Sequence, residues 1–132
     1  MKKTVLDVSF PGGKRVDAKM GNFVIKTDQS EISGGDGSAP EPFQLFLASI
    51  ATCAGIYALS FCQSRRINTD SMSLTMECAW DEEKKRYQKF SIDLKLPEDF
   101  SDKYRKAVIK SMDLCAVKKH MIDPPEFEIT TS

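Results

Sequence analysis

The stretch FQLFLASIATCAGIYALSFC, Phe43 to Cys62, decides how the rest of the chain reads. It runs for twenty residues without a charge and holds two of the four cysteines. As a helix rising about 1.5 Å per residue it is long enough to cross a bilayer. Three features favour a buried helix instead. It is the one such segment, and it lies between runs that alternate like soluble strands. Gln44, Ser49, Thr52, Gly55 and Ser60 dilute it. A Gly/Pro loop with acidic residues precedes it, where an anchoring belt would be expected. No membrane span is therefore expected.

Working outward, Pro42 suits the first turn of this helix, and Gln63-Ser64-Arg65-Arg66 brings cations to its C-terminus. Residues 33–42, SGGDGSAPEP, read as a loop. Before it, KTVLDVSF, KRVDAKM and NFVIKTD read as three short strands, with turns at Pro11-Gly12-Gly13 and Gly21-Asn22. After the helix, Met72, Leu74, Met76, Cys78 and Trp80 alternate, as do Phe90, Ile92, Leu94 and Leu96. Period two predicts two half-buried strands, and the polar DEEKKR between them predicts a hairpin. Residues 97–121 predict a second helix, N-capped by Asp99 or Ser101. Pro124-Pro125 ends it, and EFEITT reads as a last edge strand. The order β-β-β-α-β-β-α-β over 132 residues predicts a single α+β domain with antiparallel sheets.

Lys+Arg and Asp+Glu balance at 19 each, which argues against an electrostatic grip on nucleic acid or anionic lipid. The N-terminal MKKTVLDVSF is broken by Asp7 and lacks a secretory core, so a cytoplasmic location with reduced thiols is expected. No C-x-x-C pair exists, and cysteine spacings of 9, 16 and 37 residues fit no structural zinc site. No metal is expected, and His120 reads as a solvated residue at a helix end. A helix apolar all round must be buried all round. One sheet and one further helix cannot cover it, so an intimate homodimer is expected.

Helical geometry places Phe46, Ser49, Ile50, Ile56, Tyr57 and Ser60 near the face of Cys53, with Cys62 about 180° away. On these residues alone Cys53 reads as a core cysteine, because any core helix shows such a stripe. Cys78 reads the same way.

The loop and helix GGDGSAPEPFQLFLASIATC, followed sixty-two residues after its cysteine by CAVKKH, resemble the OsmC/Ohr family of osmotically inducible and organic hydroperoxide resistance proteins. The matching positions are Gly34-Gly35, Pro42, Cys53 eleven residues later, and Cys115. The resemblance implies an intertwined homodimer, with long central helices wrapped by antiparallel sheets. It also implies a thiol-dependent peroxidase of the oxidative stress response. Cys53 would reduce a small organic hydroperoxide and Cys115 would resolve it. An external dithiol would re-reduce the pair, and no cofactor would be needed. Arg15 is the nearest match to the activating arginine of the family, with Lys14 as the alternative. Phe43, Phe46 and Ile50 would offer apolar contacts to the substrate. The chain departs from the pattern in two places. Phe43 stands ten residues before Cys53, where peroxidase members carry the glutamate that holds the arginine, with Glu41 two residues earlier. Ala116 follows the second cysteine, where many members have proline, and it predicts a helix running on through Cys115. Phe43 keeps open a second expectation, a non-enzymatic dimer binding a small apolar or thiol-reactive ligand in its interface cavity.

Overall fold

The computed structural model describes residues 1–132. The chain is mixed α+β with antiparallel sheets and divides into two compact units, Met1–Ala48 and Ser49–Ser132.

In the first unit, β1 (Asp7–Gly12), β2 (Arg15–Met20) and β3 (Phe23–Thr27) form an antiparallel meander. Gly21 turns the second hairpin at φ +58, a conformation that costs glycine little. The register Val8↔Ala18↔Ile25 and Met20↔Phe23 places these apolar residues on one face. Asp7, Asp17, Lys19 and Lys26 fall on the other. The apolar face is open: Val8 is exposed and Phe23 is 72% exposed.

The segment after β3 folds around one carboxylate. Asp28 is fully buried. Its Oδ2 accepts from Ser38 Oγ at 2.6 Å and Ser38 N at 3.0 Å, and its Oδ1 accepts from Gln29 N at 2.7 Å. The Ser38 hydroxyl, the Ser38 amide and further backbone donors outweigh burial and hold the Asp28 carboxyl at about 2, below its ordinary 3.8. The folded form therefore prefers the ionised acid. Its contribution to stability is complete above the ordinary value and is lost as pH falls from about 4 towards 2. We expect the melting temperature to drop over that interval by calorimetry, and the drop to shrink in Asp28→Asn.

Helix α1, Pro42–Ser64, begins in this unit and continues into the second. Pro42 takes its first position, where its missing N–H costs nothing. The Glu41 amide donates to Gln44 Oε1 at 2.9 Å. At the other end Arg65 Nη1 donates to the Phe61 carbonyl at 3.1 Å and its guanidinium lies 3.6 Å over the Phe61 ring.

In the second unit, β4 (Ser73–Asp81) and β5 (Arg86–Lys95) form the hairpin. Leu74 pairs Leu94, Met76 pairs Ile92 and Cys78 pairs Phe90. A bulge between Ala79 and Trp80 shifts the register near the turn, where Trp80 meets Tyr87 edge-on at 5.0 Å. The core gathers Ala58, Phe61 and Cys62 of α1 with Phe100 and Val108. Phe61 and Phe100 each contribute about 2 kcal/mol by area removed from water.

Two sequence expectations need correction. The helix expected over 97–121 is three pieces: a 3-10 turn at Asp102–Tyr104, α2 at Arg105–Met112 and α3 at Ala116–Ile122. Ser101 caps the 3-10 turn without a side-chain bond. Leu114 N and Cys115 N reach back only three residues, to Ser111 and Met112, and Cys115 leaves helical geometry at φ −48, ψ 124. Ala116 thus opens a new helix instead of continuing the old one. EFEITT forms no strand, and residues 124–132 carry no regular element. Alternation supplies a strand with a face but not with a ladder partner, and none is supplied within this chain.

Candidate functional site

Cys53 lies near the middle of α1 and is half-buried; Cys115 is the N-cap of α3 and is 2% exposed. The break between α2 and α3 turns the second thiol inward. The Cys115 thiol lies beside the Cys53 sulfur, and the backbone N–H groups of Val117 and Ala116 are directed at that sulfur as further donors. Those donors lie in the first turn of α3, where no intrahelical acceptor exists, and the sulfur supplies one.

The pair is electrostatically unequal. Burial pushes the Cys53 thiol up, but the Cys115 thiol and the Val117 and Ala116 amides outweigh it and leave Cys53 below its ordinary value. Burial raises Cys115, and the neighbouring Cys53 sulfur raises it further against the Lys118 and Val117 amides. The two thiols are thus shifted in opposite directions, Cys53 down and Cys115 up. Cys62 is different. It is fully buried against Met72, 3.9 Å away, and burial raises it despite the charge on Arg65. Cys78 sits half-buried on β4 opposite Phe90.

A cavity of about 760 Å³ opens beside Cys115. Helix α1 lines it with Ile50 and Ala54, β5 with Ile92 and Leu94, and α2 with Val108 and Met112. Helix α3 closes one side with Cys115, Lys118, Met121 and Ile122. The volume is within the usual range for small-molecule sites, and the walls are mainly apolar. Lys118 is held to Asp113 at 2.6 Å and Arg105 to Asp102 at 2.7 Å. No three His, Cys, Asp or Glu side chains gather as metal ligands. His120 Nδ1 donates to the Ala116 carbonyl at 2.6 Å.

The remaining residues singled out in the sequence lie as follows. Arg15 Nη2 pairs with Asp36 Oδ2 at 3.0 Å, and its side chain is 44% exposed. Glu41 Oε1 accepts from the Ser30 amide at 3.1 Å, so this carboxylate ties down the loop before α1. Phe43 packs against Phe46 at 5.2 Å between ring centroids, with Phe43 half open to solvent. Ile50 is buried in the cavity wall. Sequence reasoning missed the amides of Ala116 and Val117 altogether. The available signal was the proline that often follows the second cysteine in the resembling family. Proline is favoured at the first position of a helix, which is where Ala116 lies.

No curated protein matches the sequence. Solved structures do match in fold. A Psychrobacter arcticus protein named for osmotic stress and detoxification superposes with a TM-score of 0.74 at 21% identity, covering 90% of this chain and 88% of its own. An OsmC-like protein of Mycoplasma pneumoniae gives 0.71 at 12% identity, covering 93% and 89%. An organic hydroperoxide resistance protein of Legionella pneumophila gives 0.57 at 20% identity, covering 92% and 90%. At these identities the likeness is one of fold. The family model described as OsmC-like protein matches residues 35–130, a span that includes α1, the hairpin and both cysteines of the pair, and the chain belongs to that family.

Proposed function

We propose that the protein is a thiol peroxidase for small organic hydroperoxides, with Cys53 as nucleophile and Cys115 as resolving thiol. What carries this reading is the placement of two free cysteines side by side, Cys53 in the middle of α1 and Cys115 at the N-cap of α3, with the Cys53 thiol shifted down and the Cys115 thiol up. The names of relatives add to it, since the Legionella pneumophila and Bacillus subtilis matches are organic hydroperoxide resistance proteins.

The chemistry balances without metal or cofactor. The Cys53 thiolate attacks one peroxide oxygen, the O–O bond breaks, and the alkoxide takes a proton to leave as an alcohol. Cys53 is left as a sulfenic acid. The Cys115 sulfur then displaces hydroxide, which leaves as water with the Cys115 proton, and a disulfide forms. An external dithiol reduces it and becomes a disulfide itself. Amide donors to a sulfur anion stabilise it as they do any oxyanion. Arg15 stays in the proposal as a second source of positive charge. Its ion pair with exposed Asp36 is of the kind worth little in water, so the guanidinium can be released. Phe43, Phe46 and Ile50 are assigned to apolar contact with the substrate.

We place the protein in the cytoplasm, where reductants can recycle the pair, as one domain built from both units and working as a homodimer. Two exposed apolar surfaces support the dimer. One is the β1–β3 face. The other is α1, whose most apolar window has mean hydropathy 1.9 yet is only 28% buried by this chain, with Thr52, Ile56 and Ser60 exposed four residues apart. Light scattering at micromolar concentration should return the mass of two chains; one chain's mass would refute the dimer.

The test of function is peptide mass spectrometry after one equivalent of organic hydroperoxide. A Cys53–Cys115 disulfide should form within seconds. Persistently reduced cysteines would favour the other reading, an apolar-ligand binder without turnover. Phe43 in the place of the family's glutamate and the size of the cavity are what support that alternative.

A further inference from the structure

Cys53 is not among the walls of the cavity, but Cys115 and the length of α3 are. One short helix therefore carries both the resolving sulfur and one side of an apolar chamber. That helix is weakly tethered. It is seven residues long, Ala116–Ile122, and is set off from α2 by the non-helical Asp113–Cys115 link. Lys118 and Asp113 bridge the link with a single exposed ion pair, a contact worth little. Beyond Ile122 the chain has no regular element to hold the far end. The first turn of α3 faces α1 at the Cys53 sulfur, at which the Ala116 and Val117 amides are directed.

We propose that this cavity holds the apolar part of the reacting molecule only while both thiols are reduced, and that forming the Cys53–Cys115 disulfide draws α3 towards α1 and shuts it. A disulfide brings two sulfurs to about 2.05 Å, well inside any hydrogen-bonded separation. Of the two carriers α3 is far shorter than α1, so Cys115 makes the movement, towards α1, whose Ile50 and Ala54 form the facing wall. Met121 and Ile122 ride on the same rigid helical turns, so the opening between α1 and α3 narrows. Once bonded, the Cys53 sulfur is also a poorer acceptor for the Ala116 and Val117 amides. The consequence is ordered turnover. The alcohol is expelled when the disulfide forms, and a second hydroperoxide is refused until an external dithiol has reopened the chamber.

The inference rests on the two-thiol reading, and its test is separable from that reading. The disulfide is made with diamide, which takes two electrons from the thiol pair and needs no peroxidase activity. The thiol and disulfide forms are then titrated with 1-octanol, an analogue of the product, while the methyl resonances of Met112 and Met121 are followed by NMR. In the thiol form both methyls should shift saturably. In the disulfide form the apparent affinity should be at least tenfold weaker, and the Ala116 and Val117 amides should exchange faster with solvent. Ile109→Trp, at an exposed cavity position, should occupy the chamber and abolish the shifts without touching either thiol. Equal affinity in both forms overturns the proposal. Octanol binding to neither form also overturns it and points to a second chain's side chains as the occupant. If hydroperoxide makes no disulfide but the diamide-made disulfide closes the cavity, the peroxidase reading fails and the closure stands.

Discussion

Replacing Cys53 by serine is expected to lower hydroperoxide consumption by about 10³-fold or more, because it removes the proposed nucleophile and a serine hydroxyl is a far weaker one. Cys62 is fully buried and its pKa is raised, and Cys115 is raised as well. Cys115→Ser is expected to behave differently. It should complete one turnover and then stop, with Cys53 trapped as a sulfenic acid that dimedone labels. The pH dependence of alkylation supplies the electrostatic half of the test. Cys53 should react with half-maximal rate below the free-thiol figure of about 8.5. The profile should move upward in Cys115→Ala, which removes a donor to the sulfur but leaves the backbone amides. A Cys53→Ser variant that keeps its peroxidase activity would sink the assignment, as would an unchanged alkylation profile in Cys115→Ala for the hydrogen bond.

Gly35→Ala is expected to destabilise the protein by about 3 kcal/mol, a fall in Tm of roughly 10 °C. A methyl group there would collide with the Gln29 carbonyl oxygen, approach the Gln29 carbonyl carbon to 2.6 Å and reach 2.7 Å from Asp28 Oδ1. Two of these atoms are backbone, held by the turn in which Gly35 N donates to the Ser30 carbonyl and Gly37 N to the Gln29 carbonyl. Nothing flexible is available to give way. The same clash would push on the Asp28 carboxylate, so the variant should also lose part of the acid-dependent melting described for Asp28. A Tm within about 2 °C of the parent would show that the loop has room to spare.

Much of the architecture follows from local pattern. An uncharged run between a proline and two arginines makes α1, and strict alternation on either side of DEEKKR makes the β4–β5 hairpin with its observed register. Both depend on residues a few positions apart, and periodicity reports such relations directly. The pairing of Cys53 with Cys115 was suggested only by family resemblance. By periodicity each was an ordinary core cysteine. The reason lies in the sequence separation: the two cysteines stand sixty-two positions apart, and no local rule links them.

Packing governed the rest. Residues 105–122 have helical propensity throughout, and local rules favour one helix. The chain instead breaks at Asp113–Cys115, which buries the Cys115 thiol, and the α3 amides exposed by the break find an acceptor in the Cys53 sulfur. A bond between distant segments thereby outweighs a preference within one. The opposite holds at EFEITT, where a good strand pattern stays unpaired, because strand structure needs a neighbour that alternation cannot supply. From the amino-acid order alone follow the elements, their order and the apolar faces they offer. Which thiol Cys53 meets depended on where a helix was interrupted by contacts far away in sequence.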